Sequence, residues 1–203
     1  MPDSVTRIGE FAFNDCYTLE HASEHYAKFG TDGNLPAKLT VVGSRGFGMT
    51  STEGRLHLKT LPASLKECGE RAFYNCGPNV YINELPVNIP TIPVFSFSGC
   101  PNISVTNFGS KQGDAGISTP LNFIGQLSFS QYDTGANRSI NNIYVWDSVK
   151  TIDQNAFQGY GARTSDEKSA VVLYTNHSED IGWDAAFIGV ASIEYNYSDM
   201  GGQ

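Results

Sequence analysis

Cys68-Gly69-Glu70-Arg71-Ala72-Phe73-Tyr74-Asn75-Cys76 is the stretch that decides the fold, because the chain repeats it. The same phrase stands at Ile8-Gly9-x-x-Ala12-Phe13-x-x-Cys16 and, with changes, at Val42-Gly43-x-x-Gly46-Phe47-x-x-Thr50, Ile92-Pro93-x-x-Ser96-Phe97-x-x-Cys100, Ile124-Gly125-x-x-Ser128-Phe129-x-x-Tyr132 and Ile152-Asp153-x-x-Ala156-Phe157-x-x-Tyr160. A degenerate seventh unit holds Ile181-Gly182 and Ala186-Phe187, with one extra residue between them. A phrase that recurs every few tens of residues marks a solenoid, in which each unit buries its apolar set only against its neighbours.

Successive Phe positions lie 34, 26, 24, 32, 28 and 30 residues apart. The 24-residue spacing is read as one bare coil and the excess elsewhere as inserted loop. The aliphatics and the Phe are expected to point inward and stack on their counterparts in the next coil. The small residue before Phe is expected to let the backbone pass close, and the Gly to serve a turn at positive φ. After the phrase, Leu56-His57-Leu58, Val80-Tyr81-Ile82, Ile103-Ser104-Val105, Ile143-Tyr144-Val145 and, less clearly, Val171-Val172-Leu173-Tyr174 alternate as half-buried strands do. Stacked in register they predict a parallel sheet along one side.

The units resemble the BspA-type leucine-rich repeats, which read L-P-x-S-V-x-x-I-G-x-x-A-F-x-x-C. Met1-Pro2-Asp3-Ser4-Val5, Leu61-Pro62-Ala63-Ser64-Leu65 and Leu85-Pro86 supply the opening part of the match. The resemblance implies a right-handed, β-rich solenoid with a parallel sheet on one face, and short turns or helices between strands. It implies one domain over residues 1–196, of six to seven irregular repeats, followed by a loose tail at 197–203. It also implies a non-enzymatic module of a surface or secreted protein that binds protein or glycan on a host or neighbouring cell. The family has no shared catalytic residues to carry over. Long insertions, Pro93 and Asp153 in the Gly slot, and Tyr in the Cys slot depart from the pattern.

Bulk properties narrow the field further. The 203 residues carry a net charge of −8, and only 17% are charged. An acidic surface repels phosphate backbones, which argues against nucleic acid as a partner. No apolar run approaches the ~20 residues of a membrane span, so no direct membrane insertion is expected. The chain begins inside the repeat phrase with no leader-like segment, so either the native chain starts there or it is a piece cut from a longer protein, the second being the preferred reading. Cys16, Cys76 and Cys100 share one slot, while Cys68 takes an Ile slot. Small buried thiols are the expected reading. A Cys76–Cys100 bond stays open, because adjacent coils bring their Cα atoms within reach.

Residues 18–29 break the pattern. Leu19, Ala22, Tyr26 and Phe29 follow helical spacing, which predicts a short inserted helix ended by Gly30. Residues 107–118, 132–141 and 160–169 read as surface loops. Within the helical insert, His21-Ala22-Ser23-Glu24-His25 matches the H-x-x-E-H zinc pattern. The surrounding fold is wrong for a zinc hydrolase and no third ligand is in sight, so no metal, cofactor or catalysis is expected. Glu179, Asp180 and Asp184 could hold calcium, but a turn explains them better.

Function is expected in the outward strand slots. Aligned by the pattern, they form columns His57, Tyr81, Ser104, Tyr144; then Lys59, Asn83, Thr106, Trp146; and Arg55, Asn79, Asn102, Asn142. Aromatics beside Asn and Arg suit recognition, since they offer rigid area and adaptable hydrogen bonds. Arg55, His57, Tyr81, Asn83, Tyr144 and Trp146 are the candidate ligand-binding residues. The alternative to an adhesion module is a structural or receptor-binding part of a larger assembly, such as a phage or surface appendage. The chain itself is expected to be a monomer or part of a larger chain or assembly.

Overall fold

The computed structural model describes residues 1–16, 34–49, 56–111, 117, 120–131, 139–166, 168–187, 192–195 and 197. These form a parallel β-solenoid with one short helix. The inserted helix expected at 18–29, with His21, Glu24 and His25, lies outside the described residues, as do Thr50, Arg55 and Tyr132.

The phrase builds one side of every coil. Its aliphatic slot ends a two-residue strand: β1 (Arg7–Ile8), β2 (Val41–Val42), β3 (Glu67–Cys68), β4 (Thr91–Ile92), β6 (Phe123–Ile124) and β8 (Thr151–Ile152). These pair parallel as β1-β2-β3 and β4-β6-β8, with Ile8, Val42 and Cys68 in one register and Ile92, Ile124 and Ile152 in the other. The six side chains of this slot, five aliphatics and Cys68, are buried, while the residue before each faces out or is half-buried. This strand column was not anticipated from the pattern, because two residues are too few to show alternation.

The A-F part that follows turns continuously and still pairs with its neighbours. Phe47 N–H donates to Ala72 O at 2.8 Å, Phe73 N–H to Ser96 O at 2.9 Å, and Phe97 N–H to Ser128 O at 2.8 Å. Every second N–H is used this way, and those between close turns within the coil, such as Ala72 N–H to Gly69 O at 3.2 Å. The alternation forces left-handed backbone two residues before each Phe: Phe11, Arg45, Arg71, Phe95, Leu127 and Asn155 all have φ between 52° and 58°.

The expectation that the Gly of the phrase serves positive φ is therefore overturned. Gly9, Gly43, Gly69 and Gly125 do not have it. Gly43, Gly69 and Gly125 are needed for space instead, whereas a Cβ on Gly9 would meet nothing within 4 Å. A Cβ on Gly69 would lie 2.3 Å from Ser44 N, one on Gly43 2.8 Å from Glu10 N, and one on Gly125 2.8 Å from Val94 N. Coils approach one another through backbone at this slot.

Inside, the seven Phe rings form one ladder. Phe13, Phe47, Phe73, Phe97, Phe129, Phe157 and Phe187 stack in sequence order, with centroids 4.8–5.5 Å apart and interplanar angles of 5–18°. The seventh unit thus joins the stack, although α1 (Trp183–Ala186) replaces its turn. Asp180 holds that helix start: its Oδ1 accepts the N–H of Gly182 and of Trp183, each at 2.7 Å. All four cysteines are free thiols. Cys76 Sγ donates to Phe47 O at 3.1 Å and Cys100 Sγ to Phe73 O at 2.9 Å, so this slot ties each coil to the one before it. Tyr160, in the same slot, reaches Val105 O at 2.8 Å. The Ser of the L-P-x-S element does similar work, Ser64 Oγ donating to Leu39 O at 2.7 Å and Ser148 Oγ to Leu121 O at 2.8 Å.

The second strand column forms where expected. β5 (Asn107–Phe108), β7 (Asn142–Val145), β9 (Val172–Thr175) and β10 (Ser192–Glu194) make a parallel sheet in the order β10-β9-β7-β5. Single parallel bridges, Leu58 to Val80 and Ile82 to Ile103, carry the same face over earlier coils.

Candidate functional site

The outward slots of this second column are set by strand parity: Ile143, Val145, Leu173 and Thr175 are buried, so Tyr144, Trp146 and Tyr174 point away from the core. Register differs from the pattern alignment. Leu58 faces Val80, which sets Tyr81 beside Lys59 and not His57. Ile82 faces Ile103, which sets Asn83 beside Ser104 and Tyr81 beside Asn102. Further along, Tyr144 faces Asn107 and not Ser104. Val105 and Phe108 are both buried although three residues apart, so one extra residue interrupts the alternation there. The candidate residues therefore fall into two groups. His57, Tyr81 and Asn83 lie on the earlier coils, and Tyr144 and Trp146 lie on β7 and its end. Tyr81 is 50% exposed and Asn83 is exposed, while His57 is half-buried.

The second group is an organised aromatic cluster. Tyr144 and Tyr174 are a cross-strand pair in register, with rings stacked at 5.1 Å and 19°. Tyr197 tilts against both, at 4.9 Å from Tyr174 and 6.3 Å from Tyr144. Burial, with smaller contributions from Tyr197 and Tyr174, raises the Tyr144 phenol above its ordinary pKa, so it is a neutral hydrogen-bond donor at any physiological pH. The Lys111 ammonium lies 4.6 Å from the Trp146 ring centroid. Beneath, His177 Nε2–H donates to Trp146 O at 3.1 Å, and the His177 ring meets the buried Trp183 edge-on at 5.7 Å. Thr175 Oγ1 donates to Val145 O at 2.8 Å and accepts from His177 N–H at 3.1 Å. The half-buried aromatics thus stand on a fixed floor.

Tyr174, Tyr197 and Lys111 were missed in the pattern reading. Tyr174 carried a signal, since Val171-Val172-Leu173-Tyr174 alternates weakly, but its pairing with Tyr144 depended on register. Beside the Phe ladder, Gln131, Gln158, Tyr160, Arg163 and Ser169 line a small polar cavity of about 130 Å³. Among the described residues, no three His, Cys, Asp or Glu side chains come together as metal ligands would. No described helix is long and apolar enough to cross a membrane.

Six copies of the BspA type leucine-rich repeat region match the chain, over residues 1–25 and 25–163. The chain belongs to the BspA-type leucine-rich repeat family. No curated protein and no solved structure matches it. Membership in a BspA-type repeat family suggests a protein-interaction scaffold, generally non-catalytic.

Proposed function

We propose that this BspA-type repeat domain is a binding module of a secreted or cell-surface protein. It engages a protein partner through the outward face of β7 and β9. The observation that carries the reading is the Tyr144–Tyr174 stack flanked by Tyr197 and by Trp146 with Lys111. Rigid aromatics over a hydrogen-bonded floor expose area at low entropy cost, which is the character of interface hot spots.

The same stack favours protein over glycan. A sugar ring packs on an open aromatic face, but Tyr144 and Tyr174 cover one another's faces, and Tyr197 leans on both. Stacking leaves ring edges and phenols as the polar part of the pair, and these suit the backbone and side chains of a protein.

The test is a binding screen of the purified chain against immobilised extracellular-matrix proteins and against purified glycans, repeated with Tyr144→Ala and Trp146→Ala. A protein ligand lost at least tenfold in both variants is expected. A glycan ligand, or a protein ligand indifferent to both substitutions, would refute the reading.

A further inference from the structure

We infer that the turn face of the coils of Phe47, Phe73, Phe97 and Phe129 docks an extended segment of a partner protein. The segment sets an acid between Arg45 and Arg71 and apolar side chains on Phe95 and Leu127. This does not rest on the reading of the aromatic face of β7 and β9.

Phe11, Arg45, Arg71, Phe95, Leu127 and Asn155 hold one slot in six successive coils, each at φ between 52° and 58°. Gly and Asn enter that region at least cost, and bulky side chains are uncommon there. Of the six, Asn155 alone is of the favoured kind. The backbone ladder sets this φ, with the N–H of Arg45, Arg71 and Phe95 donating to Glu70 O, Val94 O and Gln126 O. The core does not ask for the large side chains. Arg45, Arg71, Phe95 and Leu127 are half-buried, and neither Phe95 nor Leu127 belongs to the core or to the partly buried side chains packed on it. Strain kept under outward side chains points to what those side chains do.

Charge repeats the message. Arg45 and Arg71 stand opposite one another in adjacent coils, and like charges so placed cost stability. They lean apart. The Arg45 guanidinium lies 5.9 Å from the ring centroid of Phe11, in the coil before, and that of Arg71 lies 4.6 Å from Phe95, in the coil after. A cationic gap is left between them, on a chain of net charge −8. Glu70 pairs with Arg71 through Nη1, with both side chains open to solvent at 49% and 29%. An exposed pair of this kind contributes little, and the guanidinium has further N–H donors for a second carboxylate. Tyr74 meets Phe95 edge-on at 5.7 Å and steadies that ring.

Spacing defines the occupant. With coils ~4.8 Å apart, Phe95 lies about 7 Å along the axis from the Arg45–Arg71 gap, and Leu127 about 12 Å. An extended chain running along the axis presents same-face side chains about every 7 Å. A segment with Glu or Asp at one position and apolar residues two and four places on meets all three points in register. The carboxylate then accepts charge-assisted hydrogen bonds from guanidiniums already held by their rings.

The test titrates a rhodamine-labelled peptide, Ser-Glu-Thr-Phe-Thr-Leu-Ser, with the full 203-residue chain and reads anisotropy. Saturable binding with a Kd below about 1 mM is expected, weakening as salt is raised. Arg45→Gln and Arg71→Gln should each weaken it at least about fivefold with the melting temperature unchanged. Leu127→Gly should weaken it without lowering the melting temperature, and Glu70→Gln should tighten it. Lys66→Gln, an equal change of charge outside this slot, should leave it unchanged. Absence of saturation by about 1 mM overturns the proposal. So does equal binding of the peptide with Gln in place of Glu, or an equal loss in Lys66→Gln and Arg71→Gln. Self-association of the chain that Arg45→Gln abolishes would seat a second copy here and overturn it as well.

Discussion

Gly69 shows what one position can demand in a stacked array. Its missing Cβ would sit 2.3 Å from Ser44 N and 2.6 Å from Gly43 C, both backbone atoms with no freedom to yield. Gly69→Ala should therefore cost on the order of 3 kcal/mol, whereas Gly9→Ala, with nothing in the way, should stay within about 0.5 kcal/mol. Thermal melts of the two variants check this, and equal losses would show that φ and not space is what the slot requires. Cys68 makes a second residue-level case. Burial first, then the charge of Glu67, push its thiol up to about 12 from 9.0, against a hydrogen bond with Ser96 that lowers it. Cys76 is raised in the same direction, chiefly by burial and then by Cys100. The sign follows directly. The unfolded chain ionises these thiols near pH 9 and the folded chain does not. The Cys68 contribution is whole below pH 9 and is lost as pH climbs towards 12, at roughly 1.4 kcal/mol per pH unit, and Cys76 adds to the decline in the same direction. Cys68→Val, which places an aliphatic in an Ile slot, should flatten part of that decline. Urea midpoints at pH 8, 9.5 and 10.5 measure it, and an unchanged slope would count against burial of the thiol.

Within a coil, the parts differ in how plainly the sequence announces them. The Phe ladder was legible because one residue type occupies seven equivalent slots and only stacking explains that. The second strand column was legible from alternation in Ile143-Tyr144-Val145 and its counterparts. Its register was not, because the extra residue between Val105 and Phe108 leaves no mark in composition. Nor did any signal announce the left-handed slot. Phe11, Arg45, Arg71, Phe95, Leu127 and Asn155 share a backbone conformation and no side-chain chemistry. That slot holds a cost of roughly 1 kcal/mol for a branched apolar residue, so Leu127→Gly should raise stability by about 0.5–1 kcal/mol, less whatever contact the half-buried side chain gives up. A destabilised Leu127→Gly would mean the side chain matters more than its φ. The Cys slot was read as simple filling, yet Cys76, Cys100 and Tyr160 in it each donate to a neighbouring carbonyl. Tyr160→Phe removes the bond to Val105 O in a fully buried place, and about 1–3 kcal/mol should be lost in denaturant titration. A loss near zero would make the slot indifferent to donors after all.

Across the whole array, each coil touches only its neighbours, so stability is close to a sum of coil and junction contributions. The two ends of the sum are unequal. In the earlier coils, the Phe rings form a single file, from Phe13 through Phe97. In the later ones, Phe108 meets Phe129 and Phe157 edge-on at 5.2 and 4.9 Å, and Tyr160 packs against both. The four-stranded sheet β10-β9-β7-β5 closes over the same coils, where the earlier ones have single bridges on that face. Phe97 is the link between the two regions, with Phe73 on one side and Phe129 on the other. Phe97→Ala would open a cavity costing about 3–5 kcal/mol and would weaken both of its junctions at once. Unfolding of that variant should separate into two steps, with amides of residues 39–76 losing exchange protection before those of residues 142–175. In the unsubstituted chain the intact ladder should keep the two regions together, so their amides should exchange with closer free energies. Exchange of both regions in one step in Phe97→Ala would show that the strand columns, and not the rings, transmit stability along the solenoid.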